Sequence, residues 1–149
     1  IEGGILALGC DMWYDTNPYE VGYGYKWMVE LEQEQDFIGR EALKKVSEEG
    51  VSRKLVGVEI GGGDLGSYND GSMIDYFPVL KDGERIGKVT SACYSPRLEK
   101  NIGFAMVPVE YGEIGIELEV ERPEDPARNV PGHRADADPR RGSGHRGAG

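Results

Sequence analysis

Histidine and cysteine are scarce in this chain, with two of each among 149 residues. The cysteines, Cys10 and Cys93, stand far apart with no Cys-x-x-Cys spacing. That excludes a disulfide framework or a cysteine-based metal site and points to reduced, partly buried thiols in a cytoplasmic protein. Both histidines, His133 and His145, fall near the end of the chain, so an ordered Ser-His or Cys-His nucleophile system is excluded. No apolar run approaches the ~20 residues of a membrane span, and the opening "IEGGILALG" has no basic stretch before it. Neither a spanning helix nor a signal peptide is expected. Positive charge is short too: 17 Lys and Arg face 27 Asp and Glu, a net charge of −10. Phosphate binding needs concentrated Lys and Arg, so nucleic acid is excluded as the main partner.

Glycine, by contrast, is abundant at 23 residues, against a usual share of roughly 7 %. This favours turns and β structure over long helices. Residues 1–35 are rich in glycine and aromatics. "IEGGILAL" reads as a strand, Asn17-Pro18 as a turn, and "YGYKWMVEL" as a second strand. The segment also carries Asp11, Asp15, Glu20, Glu30, Glu32 and Glu34, most of which are expected to be solvated surface groups. Residues 36–49, "DFIGREALKKVSEE", read as a helix. Asp36 can cap it, Ile38, Ala42, Leu43 and Val46 share a face, Glu41 pairs with Lys45, and Gly50 ends it.

From 53 to 122 the period changes to two. "RKLVGVEI" sets Val56, Val58 and Ile60 on one side, and "NIGFAMVP" does the same for Ile102, Phe104 and Met106. Asp82-Gly83 joins two strands as a hairpin, and "IGIELEVER" alternates from Ile114 onward. Short strands at roughly ten-residue spacing predict a small antiparallel barrel. From 123 to 149 the apolar pattern stops: there is no Ile, Leu, Met or aromatic residue and a single Val. A disordered or aberrant tail is expected there.

Few residues offer chemistry. Gly61, Gly63 and Gly66 match G-x-G-x-x-G, but no helical period follows, so the run reads as a surface loop. Glu2 lies in the strand-like opening between an isoleucine and two glycines. A carboxylate there can accept two hydrogen bonds from an amino-pyrimidine ring; it can equally be a frayed, exposed terminal glutamate. No catalytic or metal-ligating residue is assigned within the chain.

The order of motifs adds to this. "IEGGILALGCDMWYDTNPYEVG", "DFIGREAL", "RKLVGVEI" and "GERIGKVTSACYSPRLEKNIGFAMVPVEYGEIGIELEVE" together resemble the C-terminal half of the glycine cleavage T-protein (aminomethyltransferase) family, from Glu2 to about Glu121. The resemblance implies an α+β, mainly β chain. Residues 1–35 would be the remnant of a folate-binding domain and 36–52 a linking helix. Residues 53–122 would form a Greek-key barrel of about six strands, the last missing.

By the same resemblance Glu2 binds the pterin ring of tetrahydrofolate, and Tyr25 and Trp27 lie near an aromatic position beside the folate. The family's catalytic aspartate falls before Ile1, so the chain is expected to be a fragment, inactive alone. No arginine stands in 26–35 to hold the glutamyl tail. The implied chemistry is one-carbon transfer to tetrahydrofolate, from a lipoyl carrier protein or from a small-molecule donor, as in demethylase-like relatives. Two other readings are a non-catalytic folate-binding accessory protein, whose "KGC…GQE" signature is replaced here by "DFIGREAL", and a module of a dimethylglycine or sarcosine dehydrogenase-type enzyme. On any of them "TSACYSPRLEKNIGFAMVP" is barrel scaffold.

Overall fold

The structure, a computed structural model, describes residues 1–63, 65, 77–121 and 129–133, the last stretch by its backbone. The elements are α1 (Arg40–Glu49), β1 (Arg53–Ile60), β2 (Pro78–Lys81), β3 (Glu84–Ser95), β4 (Lys100–Pro108), β5 (Leu118–Glu121) and β6 (Asn129–His133). All strand pairings are antiparallel, in the order β1-β4-β3-β2-β5-β6, and β6 returns to β1 to close a barrel. Three hairpin-linked strands with β1 laid beside β4 make the expected Greek key.

Local chemistry explains the hairpins. At Asp82-Gly83 both residues have positive φ, 52° and 80°, the geometry of a type I′ turn whose twist suits the flanking strands. The β3–β4 corner is a four-residue turn opened by Pro96 and closed by Glu99 at φ 54°. There Ser95 Oγ accepts the Leu98 N–H at 3.1 Å, a side chain standing in for a backbone acceptor.

The core is narrow and aliphatic. Val56, Val58 and Ile60 of β1 meet Val79, Val89, Ala92, Ala105, Val107, Leu118 and Val120, with Phe77 at one end. On β4 the expected apolar face is not the inner one. Ala105 and Val107 point inward, while Ile102 and Phe104 are buried outside that cluster and Met106 is half-buried. A small barrel has room only for small residues on its crowded strand. Gly103 shows the limit, since a Cβ there would sit 2.6 Å from the Ser91 carbonyl oxygen and 3.3 Å from Ile60 Cδ1.

Four further expectations fail. Neither "IEGGILAL" nor "YGYKWMVEL" forms a strand. Residues 1–35 are turns with one isolated bridge between Leu8 and Met12, because no neighbouring strand in the described chain supplies a ladder. The helix starts later than expected, after Gly39 at φ 92°; Asp36 does not cap it, its Oδ1 accepting the adjacent Phe37 N–H instead. Ile38 is fully exposed, and Lys45 pairs with Glu49 rather than Glu41. On β5 the ladder begins only at Leu118, because Gly115 at φ 89° turns the chain and leaves Ile114 exposed.

The fourth concerns the tail. Its Asn129–His133 stretch is a strand, paired with β5 from Leu118 to Glu121 and with β1 at Glu59 and Ile60. Without it β5 and the end of β1 would each present an unpaired edge. Apolar composition does not report this demand, since strands join through backbone groups. Gly66 of the G-x-G-x-x-G match, His145, and the rest of the tail lie outside the described residues.

The crowding at Gly103 sets a prediction. Gly103→Ala should destabilise the chain by about 1–3 kcal/mol, the scale of overpacking a filled core. Urea unfolding checks this, and an unchanged midpoint would mean that β3 and β4 are not as close as described.

Candidate functional site

Residues 1–35 lie against the outer side of the barrel, where Leu55, Ile102 and Phe104 are buried. Hydrogen bonds locate them there. The Leu55 N–H donates to the Glu20 carbonyl at 2.7 Å, at the end of β1 away from its pairing with β6. Glu20 is itself shaped locally: Asn17 Oδ1 accepts the N–H groups of Tyr19 and Glu20 at 3.0 and 3.1 Å, and Glu20 Oε2 accepts the Asn17 N–H at 3.0 Å. This reciprocal pattern is a capping-box turn built on Asn-x-x-Glu spacing. The Glu20 carboxylate then meets Arg53, with Nε donating to Oε1 at 2.9 Å, and Asp15 adds a second acceptor at 3.3 Å. The hydrogen bond that Arg53 donates to Glu20, more than any other cause, raises the Arg53 pKa above its ordinary value.

Asp11 is more deeply placed, at 3 % exposure. Its Oδ2 accepts the Ala7 N–H at 3.0 Å, and its Oδ1 accepts the hydroxyls of Thr90 at 2.6 Å and Ser91 at 2.7 Å. Asp11 and Glu20 are thus not the solvated surface groups that the abundance of acids suggested. A charge can be buried when several donors meet it, and residues 1–35 bring these two to donors supplied by the barrel. The Asn-x-x-Glu spacing was a readable signal for Glu20. No local signal marked Asp11, whose donors Thr90 and Ser91 are far along the chain.

Glu2 lies in an exposed turn rather than a buried strand, and its Oε1 accepts the hydroxyl of Ser95 at the end of β3. Tyr25 and Trp27 stack with ring centroids 6.1 Å apart and planes within 9°, and they are 44 % and 76 % exposed. The structure therefore shows an anchored carboxylate and an open aromatic pair, with no described contact between them. Two hollows accompany them. One, of about 370 Å³, lies within the first segment between Met12, Pro18, Val21, Tyr23 and Met28. The other, of about 350 Å³, lies on the barrel between Arg53, Arg85, Lys88 and Met106. Neither is lined by Glu2, Tyr25 or Trp27. Among the described residues no group of three His, Cys, Asp or Glu is placed to hold a metal ion, and no helix is long and apolar enough to cross a membrane.

If Asp11 fixes the segment, Asp11→Ala should lower stability by about 2–3 kcal/mol, the scale of losing hydrogen bonds to a buried charge. Urea unfolding measures it, and a loss below about 0.5 kcal/mol, the range of surface substitutions, would mean that residues 1–35 are not docked.

Comparison with known proteins bears on what this arrangement is for. Residues 53–132 match the family described as the glycine cleavage T-protein C-terminal barrel domain, so the barrel extends past residue 122 and includes most of β6. An aminomethyltransferase of Synechococcus sp. (strain CC9902) is 40 % identical over 121 residues, covering 81 % of this chain and 31 % of that protein. One of Symbiobacterium thermophilum is 45 % identical over 119 residues, 80 % of this chain and 29 % of that protein. The chain thus spans about a third of the length of the curated relatives it matches. In solved structures, the glycine cleavage system aminomethyltransferase T from Bartonella henselae shares the fold. It superposes with a TM-score of 0.71 at 23 % identity, over 91 % of this chain and 35 % of that one. The chain belongs to the glycine cleavage T-protein C-terminal barrel family.

Proposed function

We propose that this chain is the C-terminal part of a tetrahydrofolate-dependent aminomethyl- or methyltransferase, with Glu2 and the Tyr25–Trp27 pair on its folate side. The observation that carries the reading is the length of the similarity: 121 residues aligned with aminomethyltransferases, more than the barrel match of 53–132 alone. Relatives bearing that name also weigh against an accessory protein or a dehydrogenase module.

The residues suit a reduced pterin. An ionised carboxylate offers about four acceptor positions, and Ser95 takes one on Glu2, so the remainder can receive the N–H groups of an amino-pyrimidine. The stacked rings offer a flat face beside which a conjugated ring can lie. Tetrahydrofolate supplies the nucleophilic nitrogen that accepts the one-carbon unit; the residues of this chain bind and orient it. The one-carbon donor is a lipoyl carrier protein or a small methylated compound. The aspartate that stabilises the transferring charge belongs to the part of the relatives that this chain does not span. Alone, the chain should bind reduced folate more weakly than the micromolar range and carry out no transfer.

The test joins this chain to the portion of the Synechococcus relative that it does not cover. In that protein Glu2→Ala should weaken tetrahydrofolate binding by about 2–3 kcal/mol, the scale of a charge-assisted hydrogen-bonded contact. Calorimetry measures this, and unchanged affinity would remove Glu2 from the site.

A further inference from the structure

We infer that Ser95 is a positioning residue for Glu2: its hydroxyl fixes the orientation of the carboxylate that meets the pterin. The inference rests on the folate reading given above. Ser95 is 1 % exposed, at the last position of β3, whereas Glu2 lies in an exposed turn. A rigid, buried hydroxyl thus bonds a side chain that would otherwise sample several rotamers in water. The polarity of the bond is determined as well. Ser95 Oγ accepts the Leu98 N–H, which leaves its single proton to donate, and the Glu2 carboxylate can only accept.

A second contact fixes where along β3 this happens. Ser91 and Ser95 are four residues apart, on the same face by the two-residue period of a strand and separated by roughly 13 Å. Ser91 donates to Asp11 and Ser95 to Glu2, so residues 2–11 are pinned to one strand at both ends. Glu2 can neither slide along the barrel nor swing freely. The "TSACYSP" stretch is therefore more than scaffold, because three of its hydroxyls hold carboxylates of the first segment.

A double-mutant cycle of Glu2→Gln and Ser95→Ala in the full chain tests this with two readouts. Urea unfolding reports whether the two side chains are coupled. Calorimetric titration with 5-formyltetrahydrofolate, with the same variants placed in the protein joined to the uncovered portion of the Synechococcus relative, reports affinity. Each single variant should weaken binding about tenfold, the scale of one hydrogen bond to a charged group. The double variant should bind no more weakly than Glu2→Gln alone. Ser95→Cys, near in size but a poor donor, should behave like Ser95→Ala, and it keeps the test intact if the alanine variant does not fold. Additive losses would show that Ser95 acts on the fold alone and would overturn its positioning role while Glu2 stays a folate ligand. No binding by the joined parent protein would overturn the folate role of Glu2, and with it that of Ser95, whatever coupling urea reveals. Absence of coupling in urea would overturn the Ser95–Glu2 bond itself.

Discussion

Asp11 meets the hydroxyls of Thr90 and Ser91 beneath a segment that has no helix or strand of its own. A carboxylate removed from water is costly unless several donors receive it, and here two hydroxyls and one backbone N–H do so. The bond therefore works in one direction. The barrel supplies a fixed pair of donors, and the first segment takes its order from them. Glu20 repeats the arrangement at another point, through Arg53 and the Leu55 N–H. Polar contacts of this kind give register as well as stability, because a segment shifted by one residue would leave a charge buried without partners.

That dependence puts demands on β3 and its neighbours. β3 runs for 12 residues, and its register with β4 shifts between Val89 and Ser91, a bulge that lets the adjacent Thr90 and Ser91 both reach Asp11. The tight interior enforces this. Small residues on β4, Ala105 and Val107, let the wall approach the valines opposite, and Gly103 lets the β3 backbone close in. The short seam of β6 with β1 then removes the last open edge. Core packing and site geometry are thus linked through one strand: changes inside the barrel at Gly103 bear on where Ser91 and Ser95 stand outside it.

Much of the barrel was legible in the sequence because its signals are local. The alternation of Val56, Val58 and Ile60, the Asp82-Gly83 turn and the break at Pro96 each specify structure within a few residues. The rest depended on distant partners. Period two on β4 identified a strand correctly, yet Ile102 and Phe104 face outward, and only a covering segment makes that face buried. β6 was hidden because its five residues hold a single Val and no alternating apolar pattern, although backbone pairing is what places it. Asp11 and Glu20 looked like two acids among many. For Glu2 the setting differs from the expected buried strand: it lies in an exposed turn beside Ser95, a partner far along the chain that no local pattern marks. Tyr25 and Trp27 emerged as a stacked pair that neither period nor spacing had indicated.

What holds the account together is the docking of residues 1–35 on the barrel, and amide hydrogen exchange in the intact chain measures it most directly. The Ala7 N–H, given to Asp11, and the Leu55 N–H, given to the Glu20 carbonyl, should exchange far more slowly than the exposed amides of α1 at its ends. Exchange of both at the rate of an unfolded peptide would contradict the docking, and with it the placement of Glu2 beside Ser95.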